Sequence, residues 1–571
     1  MDQRKKTVRL ALISLGIFIF AVLTRLIGLG KFMSVDEPAW LLFASNFFLA
    51  LNRGQFEKTV YDYHPAVTTL WILTLAFLSY FPGYRLVGKF TDKYWQVDGL
   101  FQQYQKLPLK VLVHGRLISI LAISGLLVVS FLLVNMLAGL LTALVVTGMV
   151  ALDPFVLGHS RLLNHEMIMA MSILVSLLAA LVYQYQRRRV RYLLLSGAAA
   201  GAALLTKSPA LVLLPLVGLI FLVGFLQESR GHPGKSQRLL RPVGSYLLWL
   251  GVLSLVYFLL WPGMWVEPGK MLSEVFGNAL SYTFQGQRLT VTQGLRPERF
   301  SLEFGGVSQY LKVVFLKTTP VVWLGLILAV LGLWVKKGRP MAAICKHMVV
   351  YFGLLGLIFV LMFGIAQGRN HNHYILTTFI ALDVIAGIGI AWGVGWLAER
   401  FHFAQKRYTL AALLVLILAV HAAGALRQYP YYYTYTNPLA SALLGGFQDP
   451  DAGYGEGLEL AGAYLAAKPG AKDLKAMSWY AAGPFSYYFP GTTYNLLISE
   501  HVESDYVERM KASDYLVIYS IQQKAVNMPE KLLKALQPIP PEKVIQLNGQ
   551  EYIQIYAVDD FSDSFFDSIH D

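Results

Sequence analysis

Eleven apolar runs recur along this chain, at roughly 8–30, 116–135, 139–157, 167–185, 192–206, 209–226, 244–261, 310–335, 348–366, 374–397 and 408–425. No water-soluble core can bury them all. A lipid bilayer can, because a spanning helix needs about 20 mostly apolar residues. The breaks between runs carry Gly, Pro, Asn or charge, as helix ends do. Composition agrees. The chain is 56% hydrophobic and 14% charged, where soluble domains are about one quarter charged. The run at 8–30 follows Arg4, Lys5 and Lys6. It is long for a signal sequence, lacks an obvious small-residue cleavage site, and reads as an uncleaved first span.

Short basic clusters set the expected orientation. They are Arg4 to Lys6, Arg187 to Arg189 with Arg191, Arg230 to Arg241, Lys336-Lys337 with Arg339, and Arg400 to Arg407. The positive-inside rule places all of them, and so the N-terminus, in the cytoplasm. It also accounts for much of the +14 net charge and argues against a nucleic-acid partner. One further run, 66–82, would be a fifth crossing between two inside clusters. The count therefore predicts that it lies in the interface or re-enters. The segments 31–115, 158–166, 206–209, 262–309, 367–373 and everything after 426 then face outward.

The composition changes at the tyrosine-rich YPYYYTYTNP. Eighteen of the 34 acidic residues lie from Asp449 onward. Strand-like YLVIYS and YIQIYAV alternate with helix-like GLELAGAYLAA and PEKLLKAL, the pattern of a small α/β domain. The closing DDFSDSFFDSIHD reads as a frayed tail. With the single cysteine Cys345, no intrachain disulfide can brace these parts. The fold class expected is an all-α polytopic membrane protein, with about eleven transmembrane helices plus juxtamembrane helices, followed by a small extracytoplasmic α/β domain. The domains are residues 1–428, with outer juxtamembrane helices in 31–115 and 262–309, and residues 429–571.

Ionisable groups near a membrane face are costly and invite a reason. Asp36-Glu37, before Pro38, suits a helix N-terminus by itself. In GHSRLLNHE, Arg161 and Glu166 can pair across the start of a span. His64 follows Tyr61-Asp62-Tyr63, and taken alone reads as an ordinary packed histidine. Lys207, in ALLTKSP, can snorkel to the interface. Arg369, His371 and His373 fall in one outer loop. The two histidines could hold a divalent metal, but no third ligand is defined. Together the outer face offers acids at Asp36, Glu37 and Glu166, and cations at Arg116, Arg161, Lys207 and Arg369. An acid can act as general base for a hydroxyl, and the cations can hold a phosphate. This combination suits group transfer from a lipid phosphate.

The order of these motifs resembles the lipid-carrier-dependent glycosyltransferases of family 39, in the GT-C superfamily. These are the protein O-mannosyltransferases and aminoarabinose transferases. The matching pieces are Asp36-Glu37, His64-Pro65, Arg116-Leu117, Ser160-Arg161 with Glu166, GAAAGAALLTKSP from Gly197 to Pro209, WPGMW from Trp261, His373-Tyr374, and GYGEGLE from Gly453 to Glu459. The sequence departs from the family where Glu166 replaces an aspartate, His64-Pro65-Ala66 shortens the usual entry, and His373 stands where an arginine is common.

The resemblance implies a GT-C-type catalytic domain in residues 1–428. It implies a sugar donor linked through one phosphate to a polyprenol, and a hydroxyl acceptor on a protein, lipid or glycan. Transfer would invert the anomeric centre at the outer face of the plasma membrane. Asp36 would be the base, with Glu37 positioning it or a cation. Arg116, Arg161, Lys207 and the Arg369, His371 and His373 loop would neutralise the leaving phosphate. His64 and Glu166 would orient donor or acceptor. No cofactor is required, though a divalent metal remains open. A transporter or flippase for lipid-linked sugars would want broken helices and an inverted repeat. Here Asp383 is the one convincing mid-span acid and no repeat is evident. A polymerase or ligase using a diphosphate lipid, and a non-catalytic glycolipid binder, also stay open at this point.

Overall fold

The protein's structure, a computed structural model, describes residues 3–62, 64–229, 235–286, 301–302, 304–367, 371–400, 407–446, 453–496, 504–519 and 530–569. It is a multi-pass membrane protein, helical through its first three quarters and closed by a small sheet. Among the described residues, eight helices are long and apolar enough to cross a membrane. The number is nine if Gly305–Lys317 and Pro320–Trp334, bent by 107°, form one broken span.

The difference from eleven lies in three places. The runs 116–135 and 139–157 share the 45-residue stretch Pro108–Leu152, interrupted at Gly139 with φ 83° and ψ 170°. Val190–Thr206 has 17 residues, a length of about 26 Å against a hydrocarbon core of about 30 Å. The third place is the bent pair. The run at 66–82 folds as Val67–Tyr80, 14 residues. At about 21 Å it is too short to cross.

Contacts divide the chain differently from a single cut at 428. One unit comprises Met1–Ile27, Phe47–Leu75 and Gly115–Gln448. The other comprises Gly28–Asn46, Ala76–His114 and Asp449–Asp571.

In the first unit, His165–Tyr185 is apolar all round and almost wholly enclosed, as expected for a central helix. It packs on Val190–Thr206, which packs on Lys235–Leu260. With no water to serve their polar groups, these helices bond to one another. Ser176 Oγ donates to Ser196 O at 2.9 Å, and Trp249 Nε1 donates to Ser196 Oγ at 2.9 Å. A second bundle joins Leu376–Arg400 to Pro320–Trp334 and Ala343–Gly364.

The second unit contains a five-stranded mixed sheet in the order β2-β1-β3-β5-β4. The strands are β1 (Lys475–Ser478), β2 (Thr492–Asn495), β3 (Tyr515–Tyr519), β4 (Lys543–Leu547) and β5 (Gln550–Ala557). β1 runs parallel to β2 and β3, while β5 pairs antiparallel with β3 and β4. Asn548 and Gly549 turn the β4–β5 hairpin with φ of 54° and 77°, the paired positive values that a two-residue loop needs.

The tail expected to fray is instead helix Asp563–Ile569. Its Phe565, Phe566 and Ile569 enter the core with Met477, Leu516, Ile518 and Tyr556. Its apolar residues recur at helical spacing and find a sheet face to cover, which composition alone hid. The segments Gly28–Asn46 and Ala76–His114 are tied within this unit through tyrosines. Tyr487 donates to Asp98 Oδ1 at 2.5 Å, and Tyr488 donates to Gly30 O at 3.2 Å.

Candidate functional site

In the first unit the candidate residues gather around Glu166. Asn164 caps helix His165–Tyr185, its Oδ1 accepting from Glu166 N at 2.7 Å. That places Glu166 in the first turn, where the helix dipole favours an anion. Val190–Thr206 ends at Lys207, which turns to extended backbone before Pro209. The Lys207 ammonium meets Glu166 Oε1 as an ion pair with both side chains 1% exposed. Lys207 also lies 4.5 Å from the centre of the Tyr374 ring.

Histidines complete the cluster. His165 Nε2 is 3.1 Å from Glu166 Oε2, and His373 Nε2 is 3.8 Å from Glu166 Oε1. The His64 ring sits 5.3 Å from that of His165. Its segment is anchored by Ala66 N donating to Thr206 O at 3.1 Å and by a Thr68–Thr206 hydroxyl contact of 2.7 Å. His371 stacks on His373 at 5.5 Å. A buried charge pair of this kind is sustained only when each member keeps its partner.

Two histidines of the GHSRLLNHE motif join the cluster although nothing in their spacing marks them as site residues. His159 Nδ1 is 3.1 Å from Asn164 Nδ2, and its ring stacks on Tyr433 at 5.4 Å. An amide nitrogen only donates, so Nδ1 accepts and the proton of the neutral ring sits on Nε2. Burial pulls His159 down to about 4, against the opposing pull of Glu166. His165 is the second. Its place beside Glu166 in the same motif is the one sequence signal that points to it.

Arg161 does not join this cluster. Its Nε donates to Arg25 O at 3.1 Å and its Nη1 to Pro430 O at 3.1 Å, while Nη2 donates to Ile27 O. Tyr432 faces it at 4.8 Å. A planar fork with three carbonyls on it acts as a clamp between chain segments. Burial lowers the Arg161 guanidinium from its ordinary value, and Arg116 nearby adds to this. Arg116 itself is 1% exposed. Arg369 lies outside the described residues.

In the second unit, adjacent acids have different fates. Glu37 is fully buried, and its Oε2 accepts from Ser34 N at 2.8 Å. That bond reaches back across the helix start, as a capping glutamate does. Asp36 is partly exposed. Its carbonyl accepts the first helical bond, from Trp40 N at 3.2 Å, and its Oδ2 accepts from the Tyr454 hydroxyl at 2.6 Å.

Tyr454 is itself tied down. Its carbonyl accepts from Val35 N at 3.2 Å, and its N donates to Glu456 Oε2 at 2.7 Å. Tyr519 donates to the same carboxylate oxygen at 2.6 Å. The GYGEGLE segment therefore braces the Asp36 loop. The Tyr480 hydroxyl is pushed up, first by burial and then by the Asp36 charge.

The two loop histidines and Glu166 do not make a three-ligand metal set among the described residues; the set that meets that geometry lies elsewhere, at Asp153, Asp383 and His421.

Residues 76–266 match the family model for dolichyl-phosphate-mannose-protein mannosyltransferase. Over this third of its length the chain is similar to that family. The match takes in Arg116, Arg161, Glu166, Lys207 and WPGMW, and bears out the resemblance drawn from the motifs.

Among solved structures, the chain is similar to ArnT from Cupriavidus metallidurans bound to undecaprenyl phosphate. The identity is 13% and the TM-score 0.48, covering 98% of this chain and 99% of that one. An oligosaccharyltransferase from Archaeoglobus fulgidus, tethered with an acceptor peptide, gives 11% identity and a TM-score of 0.42 over 89% and 69% of the two chains. The Pmt1-Pmt2 protein O-mannosyltransferase complex of S. cerevisiae, bound to the sugar donor, gives 16% and 0.34 over 52% and 39%. No curated protein matches the sequence.

Proposed function

We propose that the protein is an inverting glycosyltransferase that moves a sugar from a polyprenyl-monophosphate carrier to a hydroxyl acceptor. The observation that carries the mechanism is the partly exposed Asp36 carboxylate, fixed through one oxygen by Tyr454. The acceptor oxygen attacks the anomeric carbon as its proton passes to Asp36. The bond between that carbon and the phosphate oxygen breaks from the opposite side, and polyprenyl phosphate departs with the electron pair. Glu37, buried and bonded to Ser34 N, holds the loop that carries the base.

The leaving phosphate gains negative charge, so preorganised donors lower the barrier. Lys207 has three N–H donors, and Glu166 fixes the direction of one. Lys207, Arg116, Arg369 and the histidines His64, His371 and His373 form the proposed phosphate-binding set. Glu166 orients Lys207 and His373. Arg161, expected in the same set, acts instead as a clamp on backbone carbonyls. Residues 1–428 supply the catalytic machinery, and 429–571 contribute the brace through Tyr454. The basic clusters support a cytoplasmic N-terminus, with the site and the C-terminal domain on the outer face of the plasma membrane.

The test uses the full chain in lipid nanodiscs with short-chain polyprenyl-phosphate sugars and mixed hydroxyl acceptors. The expected result is release of polyprenyl phosphate with an inverted glycoside on the acceptor. Net retention of configuration, or full turnover by Asp36→Asn, would overturn the reading.

A further inference from the structure

His373 lies in the 3-10 turn Asn372–Ile375 that leads into helix Leu376–Arg400, and Asp383 follows in that helix, about 15 Å further along. There Asp153, Asp383 and His421 converge. Their ligand-capable atoms all lie within 4.8 Å of one another, and all three residues are buried.

Asp153 uses one oxygen to cap helix Pro154–His159, with Oδ1 accepting from Val156 N at 2.9 Å. Its other oxygen, Oδ2, has no hydrogen-bond partner, and neither does Asp383 Oδ2. Both residues are 1% exposed. Two facing carboxylates in an apolar interior cannot both remain ionised without a positive charge between them.

The third group is arranged as a ligand histidine is. A carbonyl can only accept, so His421 Nε2 donates to Met149 O, at 3.0 Å. Such a backbone bond from the far nitrogen is the usual means of fixing a metal-binding imidazole. Nδ1 is then the nitrogen that carries the lone pair, and it lies 2.8 Å from Thr319 Oγ1.

We propose that Asp153, Asp383 and His421 form a binding site for one divalent transition-metal ion. Asp153 Oδ2, Asp383 Oδ2 and His421 Nδ1 are the ligands, and the Thr319 hydroxyl turns its proton away to offer a fourth oxygen. A donor set of two carboxylates, an imidazole and a neutral oxygen suits zinc or manganese over calcium or magnesium. Donor–metal bonds of about 2.1 Å need donors within about 4.2 Å of one another, so small side-chain rotations complete the site. The ion neutralises the acid pair and ties together the segments that carry them. Asp153 opens the short helix ending at His159, and the helix of Asp383 follows directly on the turn that carries His373. The ion is therefore structural, set below the proposed chemistry and not part of it.

The test strips the purified full chain with chelator, loads it with zinc, desalts it and counts bound metal by mass spectrometry. Wild type should retain one equivalent and gain thermal stability on loading. Asp383→Asn and Asp153→Asn should lose both properties. Asparagine still caps a helix, so the second variant preserves the local fold if the first does not. Glu166→Gln should keep the zinc and its stabilising effect, even though it disturbs the proposed transferase site. Zinc-free wild type, or one equivalent retained by both Asp→Asn variants, would overturn the proposal. A wild type that takes no zinc and loses stability as pH rises would assign the pair a shared proton instead.

Discussion

The two units hold their acids in opposite ways. In the first, Glu166 is sealed from solvent and met by an ammonium and two imidazoles. In the second, Asp36 and Asp98 are only partly covered and are met by tyrosine hydroxyls at 2.6 and 2.5 Å. A carboxylate neutralised by a buried cation is a poor base, because taking a proton would strand that cation. One held by a neutral donor keeps its charge available. The contrast separates an acid committed to a buried cation from one left open to a proton, a distinction the residue types alone do not make.

The sharpest way to break this contrast is to exchange the roles. Asp36→Asn should lower turnover by about 10²–10⁴-fold, the range for a missing general base, with little change in folding measured by thermal unfolding. If turnover survives and Glu166→Gln abolishes it with folding intact, the assignment of the two acids is reversed.

Lys207→Ala comes next. It leaves Glu166 buried without its ammonium, which costs about 3 kcal/mol of stability. It also removes a charged phosphate donor, weakening apparent donor affinity about 10- to 100-fold. Stability lost with donor affinity unchanged would leave Lys207 a purely structural partner. The double variant Glu166→Gln/Lys207→Met should recover much of the stability and none of the donor affinity.

The third probe is pH. Burial raises Asp98 from its ordinary value of 3.8 to about 6, against the Tyr487 hydrogen bond that lowers it. The folded state therefore keeps this proton at pH values where the unfolded chain releases it. That contribution is fully present below about pH 4 and is lost as pH rises through about 6. It amounts to roughly 2 kcal/mol after allowance for partial exposure. Comparing denaturant midpoints of wild type and Asp98→Asn from pH 4 to 7 isolates it. The difference should appear in that window alone.

The smallest effect is expected from Tyr454→Phe. It removes one hydroxyl from Asp36, a net loss of about 1 kcal/mol. Turnover should fall several-fold, and the acid limb of the pH–rate profile should move to higher pH because the carboxylate loses a donor. A uniform loss with an unmoved profile would mean that Tyr454 supports the loop without touching the base.

The membrane architecture was legible in the sequence because apolar length is a local property, read one run at a time. The short helix at 66–82 and the strands at 515–519 and 550–557 were legible for the same reason. The helix count was less so. Whether Gly139 and the 317–320 bend divide a span depends on backbone angles that the length of an apolar run does not give.

Asp36, Glu166, Lys207 and His373 were candidates from motif order, but their partners were not legible. No local pattern signals that Arg161 is spent on carbonyls of residues 25, 27 and 430, or that Tyr454 reaches Asp36 from 418 residues away. Asp383 reads as mid-span from its run alone, but Asp153 and His421 meet it only through helix packing. By itself the sequence determined that this chain crosses a bilayer and which residue types it can bring to phosphate chemistry, because hydrophobicity and charge belong to single residues. Only the tertiary structure decided which acid is sealed by a cation and which stays partly open to solvent beside a hydroxyl, because solvation and pairing arise between segments distant in the chain.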